Sequence, residues 1–106
     1  MTTEINKLLT TLGMVSSAKK LIFGEKLFEK IKKNKIKIVL TVSDMGISQL
    51  KKINDNCKFH NVLIYNGLFD TYQLNQAIGK KNIKAVGIED FNFYKLINNK
   101  ISEGDI

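Results

Sequence analysis

The chain has 106 residues, near the commonest domain size, so one domain over 1–106 is expected, with a core that needs no staple. Lysine supplies all 17 basic residues against 10 acidic ones, a net charge of +7. That surplus favours polyanionic partners such as nucleic acid or acidic membrane. The absence of arginine excludes bidentate reading of guanine edges, so any nucleic-acid contact must rest on phosphate, backbone N–H groups and shape. A codon bias that turns Arg into Lys throughout would explain the same absence without functional meaning. The single cysteine, Cys57, excludes an internal disulfide and suits a reducing, cytoplasmic compartment. No apolar run approaches bilayer length, and MTTEINKLLTTLG lacks the apolar stretch of a signal peptide, so no membrane association is expected.

In chain order, Thr3 reads as an N-cap, and Ile5, Leu8, Leu9 and Leu12 recur at helical spacing, giving a first helix over 4–17. Residues 20–23 read as a short extended piece. Gly24 opens a second helix with Leu27, Phe28 and Ile31 inward, and Asn34 stops it. The β-branched run 36–42 reads as a buried strand. Asp44 reads as the cap of a third helix with Ile47, Leu50, Ile53 and Cys57 inward. A strand over 61–65 follows. Asp70 or Thr71 then caps a fourth helix, whose stripe is Leu74, Ala77 and Ile78 and whose stop is Gly79. The last strand is 83–88. Asp90 starts a final helix with Phe93, Leu96 and Ile97 inward, and 98–106 is expected to fray. Strands alternating with helices over short connections argue an α/β protein with helices on both faces of a small mixed sheet.

On a helical wheel from Gly24, Lys26, Lys30 and Lys33 form one stripe, about 140° from the apolar cluster. Free first-turn amides, the positive end of the helix dipole and two lysines would make an anion site. Taken alone, the same stretch reads better as a glycine easing a turn and a solvated lysine face.

The run LGMVSSAKKLIFG, residues 12–24, resembles the opening signature of a ribosomal-protein superfamily that binds kink-turn RNA. That superfamily includes large-subunit proteins of the seven-Ae and thirty-e types and small bacterial relatives of the YlxQ type. Leu12, Gly13, Ala18, Lys20, Leu21 and Gly24 keep the bacterial pattern. TVSD at 41–44, LNQAIGK at 74–80 and KAVGIEDFNFYKLI at 84–97 are similar to the family's later segments, so the resemblance covers roughly 5–97. It implies a three-layer α-β-α sandwich with a four-stranded mixed sheet. It also implies an RNA-binding face drawn from Lys20, Gly24, Glu25, Lys26 and Lys30, from Ser43 and Asp44, and from Asn66, Gly67 and Phe69. Phe69 has two readings of equal standing: stacking on an unpaired base, or a hydrophobic staple under the fourth helix.

The chain departs from the family pattern at several positions. Lys26-Leu27 replaces an Asn-Glu pair that reads sheared guanine–adenine pairs; Lys26 can still donate to a guanine, but Leu27 accepts nothing. Lys19 stands where the family often has Gly, Ser17 where it often has Arg, and Asn75 where it has Gly.

Other chemistry is sparse. Cys57-x-x-His60 is half a zinc spacing with nothing to complete it, and no metal or cofactor is expected. As a nucleophile pair, Cys57 and His60 lack an orienting group. Glu89-Asp90 reads as capping rather than catalysis, and Gly79-Lys80 lacks the rest of a phosphate-binding loop. The expectation is a non-enzymatic, monomeric RNA-binding protein on structured, kink-turn-like or ribosomal RNA. The alternative is a protein-interaction module of the same fold, with Leu27 and Phe69 contributing an apolar patch.

Overall fold

Alternation along one central strand splits the core of this molecule in two. The computed structural model describes residues 2–104, with side-chain positions for 4–102. The elements run α1 Thr2–Ser17, β1 Leu21–Ile22, α2 Gly24–Lys32, β2 Ile38–Thr41, α3 Ile47–Phe59, β3 Leu63–Asn66, α4 Thr71–Ile78, β4 Ala85–Ile88 and α5 Phe91–Gly104. All four residues of β2 are buried. Ile38 and Leu40 face a core shared with Leu8, Leu12 and Val15 of α1, Leu74 of α4 and Ile97 of α5. Val39 faces the opposite core, with Leu27 and Ile31 of α2 and Ile53 and Cys57 of α3. A strand's two-residue period puts alternate side chains on opposite faces, so a strand this apolar needs cover on both. The result is the expected α-β-α sandwich, with α1, α4 and α5 on one face and α2 and α3 on the other.

The sheet order is β1-β4-β2-β3. β2 pairs with β3 in parallel and with β4 antiparallel, and β1 pairs antiparallel with β4. The sheet is therefore mixed. Gly87 of β4 lies under α2, where a Cβ would run into Cδ1 of Leu27 and crowd Ile36. The glycine thus lets α2 seat close to the sheet.

Three helices end in the same way. At the end of α1, the N–H of Lys20 donates to Val15 O and that of Lys19 to Ser16 O. After α2, Lys35 N–H donates to Lys30 O and Asn34 N–H to Ile31 O. After α3, Val62 N–H donates to Cys57 O and Asn61 N–H to Lys58 O. Each paired closure requires a left-handed residue, supplied by Lys19 (φ 61°), Asn34 (φ 58°) and Asn61 (φ 56°). Asparagine tolerates that conformation; lysine does so at a cost.

Several sequence expectations need correction. Thr3 lies inside α1 rather than capping it, its side chain being outside the described residues. The third helix begins at Ile47 with Gly46 as N-cap, and Asp44 does not cap it. Ile47, on the first turn, is 86% exposed rather than inward. In α5, Leu96 is exposed, and the helix continues through the segment expected to fray. Ile101, one turn beyond Ile97 on the same face, is buried against α1 and holds the helix to Gly104. Residues 105–106 of that tail lie outside the described residues. Asp70 caps α4 in a reciprocal box with Gln73, and Asp90 accepts from the N–H of Phe93 at the start of α5.

Two substitutions should move stability in opposite directions in urea titrations. Lys19→Gly removes a left-handed side chain and should add about 0.5–1 kcal/mol, net of the looser unfolded chain. Gly87→Ala should cost about 1–3 kcal/mol through overpacking against Leu27.

Candidate nucleic-acid interface

α2 begins without a side-chain cap. Its N-cap, Phe23, is extended and offers no side-chain acceptor, and Gly24 follows with φ 68°. A Cβ at Gly24 would meet nothing within 4 Å. Within this chain, then, the glycine serves the left-handed backbone rather than space. The turn stands open to solvent: Gly24, Glu25 and Lys26 are all exposed. Glu25 suits the positive end of the helix dipole, and it also sets a negative charge on the rim.

Lys26 and Lys30, one turn apart, line an open cleft of about 420 Å³ with Lys19, Lys20, Glu89 and Asp90. Lys19 and Lys20 arrive there because the α1 closure turns the chain back into β1. Glu89 stands amid the lysines and accepts a hydrogen bond from Lys30 Nζ. That bond above all holds the Glu89 carboxyl below its ordinary range; desolvation opposes it, and the charges of Lys30, Lys35 and Lys26 add to it. Lys30 is therefore committed to an internal partner. Lys20 and Lys26 are exposed and make no ion pair among the described residues.

The other expected contacts form a second group, each hydrogen-bonded within the protein. Ser43 N–H donates to Phe69 O at 2.8 Å, and Gly67 N–H to Thr41 O at 3.0 Å. Asn66 Oδ1 accepts from the buried Thr41 hydroxyl at 2.6 Å, and Asn66 Nδ2 donates to Asn54 Oδ1 at 2.9 Å. Asp44 accepts from the N–H and hydroxyl of Thr71 at 2.9 and 2.7 Å, so it braces the first turn of α4. The Thr71 hydroxyl is the main cause that lowers the Asp44 carboxyl from its ordinary value. Phe69 is 2% exposed. It precedes the Asp70 cap and shares its core with Leu74, which are the two positions of a hydrophobic staple. Its stacking role is thereby corrected: the ring belongs to the core. Leu27 is likewise buried at 1%, so the apolar patch imagined from Leu27 and Phe69 is not on the surface.

A third segment had gone unnoticed in the sequence. A slot of about 150 Å³ is lined by Gly24, Phe28 and Met45 together with Asn82, Ile83 and Lys84. Asn75 positions that loop. Its Nδ2 donates to Thr71 O and Ile83 O, and its Oδ1 accepts from Ile83 N–H. Lys84 Nζ reaches the Thr71 hydroxyl at 3.1 Å and so links the slot to the Asp44 group. The available signal was Asn75 itself, a buried amide where the resembled family has glycine, followed by Asn82 in left-handed conformation at φ 59°.

Cys57 is fully buried, and burial pushes its thiol up to about 11. It packs as a small apolar group, while His60 caps the end of α3 and meets the Phe59 ring edge-on. Among the described residues, no three His, Cys, Asp or Glu side chains come together as a metal site.

No protein-family model matches the chain. The RNA-binding protein YlxQ of Enterococcus faecium is 34% identical to it over 90 residues, covering 84% of this chain and 85% of the relative. A Bacillus halodurans protein of unknown function superposes with a TM-score of 0.83 at 27% identity, over 91% of this chain and 97% of the other. A 15.5 kDa RNA-binding protein of Giardia lamblia superposes at 0.74 and 14% identity, over 94% and 83%, which shows a shared fold. The Enterococcus faecium relative and the Giardia lamblia structural neighbour are both RNA-binding proteins.

Asn75→Ala should cost about 1–3 kcal/mol in urea unfolding, because it strips the Ile83 N–H and C=O of their partner. The acid limb of stability should respond to Glu89. A carboxyl whose folded pKa lies below its ordinary 4.5 contributes stability above that value and loses it as pH falls. Glu89→Gln should flatten stability against pH in that range, as thermal melts from pH 3 to 6 would register.

Proposed function

The chain belongs to the family of the RNA-binding protein YlxQ, and we propose that it too binds RNA, through the face where α2 begins. The observation that carries this reading is the pairing of an uncapped, open first turn at Gly24 with Lys20 and Lys26, both exposed and without an ion pair among the described residues. Phosphate oxygens fit such a place: amide N–H groups and the helix dipole favour an anion, and lysines release counterions on contact. The loop 82–84 and the Asp44–Thr71 brace border the same face and would limit which backbone shapes can enter.

The finer reading is a structured RNA of kink-turn-like or ribosomal type, bound by a cytoplasmic monomer. It rests on the resemblance of residues 12–24 and on the open turn that follows them. Recognition in this chain leans on shape. Lys26 alone can donate toward a base edge at the family's reading position, because Leu27 is spent on the core. The protein-interaction alternative loses its surface, since Leu27 and Phe69 are both buried.

Affinity for a bulged hairpin RNA, measured at two salt concentrations, tests the reading. Lys20→Ala with Lys26→Ala should weaken binding about tenfold or more and flatten the slope of log K against log salt by about two. Lys30→Ala should do less, because Glu89 already holds that ammonium. Equal affinities for wild type and the Lys20/Lys26 double variant would remove the site.

A further inference from the structure

We propose that the groove beside Tyr72 binds a single-stranded stretch of RNA leaving the α2 site, with one base stacked on the tyrosine ring. The proposal rests on the RNA reading above and extends it to a second surface. Tyr72, on the first turn of α4, is 73% exposed. It lines an open groove of about 390 Å³ with Thr71, Gln76, Lys80, Lys81 and Asn82, and no carboxylate is among the lining residues.

Three links join this groove to the α2 site. Asn82 lines both the groove and the slot beside Gly24. Lys80 Nζ lies 5.8 Å over the ring of Phe23, the N-cap of α2. The Thr71 hydroxyl in the groove accepts from Lys84, which lines the slot. A chain leaving the α2 turn would therefore pass two further lysines before reaching the exposed ring.

The chemistry selects the occupant. Lysines flanking an exposed aromatic ring match a phosphodiester chain with accessible base faces, and every base has such a face, so the contact tolerates any sequence. A duplex offers no such face, because its bases are already stacked on one another. Phe91, 56% exposed with Lys95 Nζ 5.6 Å over its ring, lies on α5 and lines neither the slot nor the groove. Phe59 and Ile47 sit at opposite ends of α3, and neither lines the slot or the groove.

The test uses a bulged hairpin RNA with and without a short single-stranded extension at either end, titrated by fluorescence anisotropy against the full chain. In wild type, an extension should tighten binding about tenfold. Tyr72→Ala should abolish that gain and leave the extension-free hairpin unaffected, Tyr72→Phe should retain it, and Lys80→Ala with Lys81→Ala should reduce it and its salt dependence. A wild type that binds the hairpin with no gain from either extension, or a Tyr72→Ala variant that keeps the gain, overturns the proposal while leaving the α2 site standing. Failure of wild type to bind either RNA overturns both. Tyr72 is exposed, so its variants should match wild type in circular dichroism and melting temperature.

Discussion

The contact between Leu27 and the sheet at Gly87 fixes everything the α2 end can do. Leu27 is almost wholly buried, and the bare backbone of Gly87 lets it lie flat against β4. With Ile31 a turn later, it sets the rotation of α2, so that Lys26, one residue earlier, must point outward. The anchor and the outward cation are neighbours in sequence because a helix turns about 100° per residue. The same economy has a consequence for recognition. The position that would carry a second polar reader in the resembled family is the anchor here, spent on packing against the sheet.

Polar side chains near the site are largely occupied with one another. Asp44 braces α4 through Thr71, Asn66 closes on Thr41 and Asn54, and Asp90 caps α5. Glu89 holds Lys30. Among the described residues, these bonds leave Lys19, Lys20 and Lys26 without an ion pair, beside a first turn of α2 that has no side-chain cap. A carboxylate inside a lysine cluster also lowers the local potential of that cleft. Buried polar groups must be paired, and here that requirement uses up several residues that, by type alone, resemble ligand contacts.

Much of the fold was legible before any coordinates. The β-branched run ending at Val42 reads as a buried strand, and Asp70 or Thr71 marks the start of α4, where Asp70 is the cap. Asn34 marked a helix end because asparagine accepts the left-handed closure. The errors cluster where tertiary packing overrides local pattern. Asp44 has the composition of a cap for the helix that follows it, yet the parallel pairing of β2 and β3 brings Thr71 within its reach. The end of α5 looked too polar to persist, yet one isoleucine at the right spacing docks it on α1.

The amino-acid sequence by itself determined the periodicities: which segments are helix or strand, which faces are apolar, and that the charge is cationic and carried by lysine alone. These follow from local sterics and from burial of apolar surface, which act on residues close in the chain. Only the tertiary structure decided which polar groups remain available. Phe69 left the surface for the core, Lys30 was claimed by Glu89, and Asn75 drew residues 82–84 against Gly24. Each of these depends on partners many residues away in the chain, and no period in the sequence encodes such a meeting.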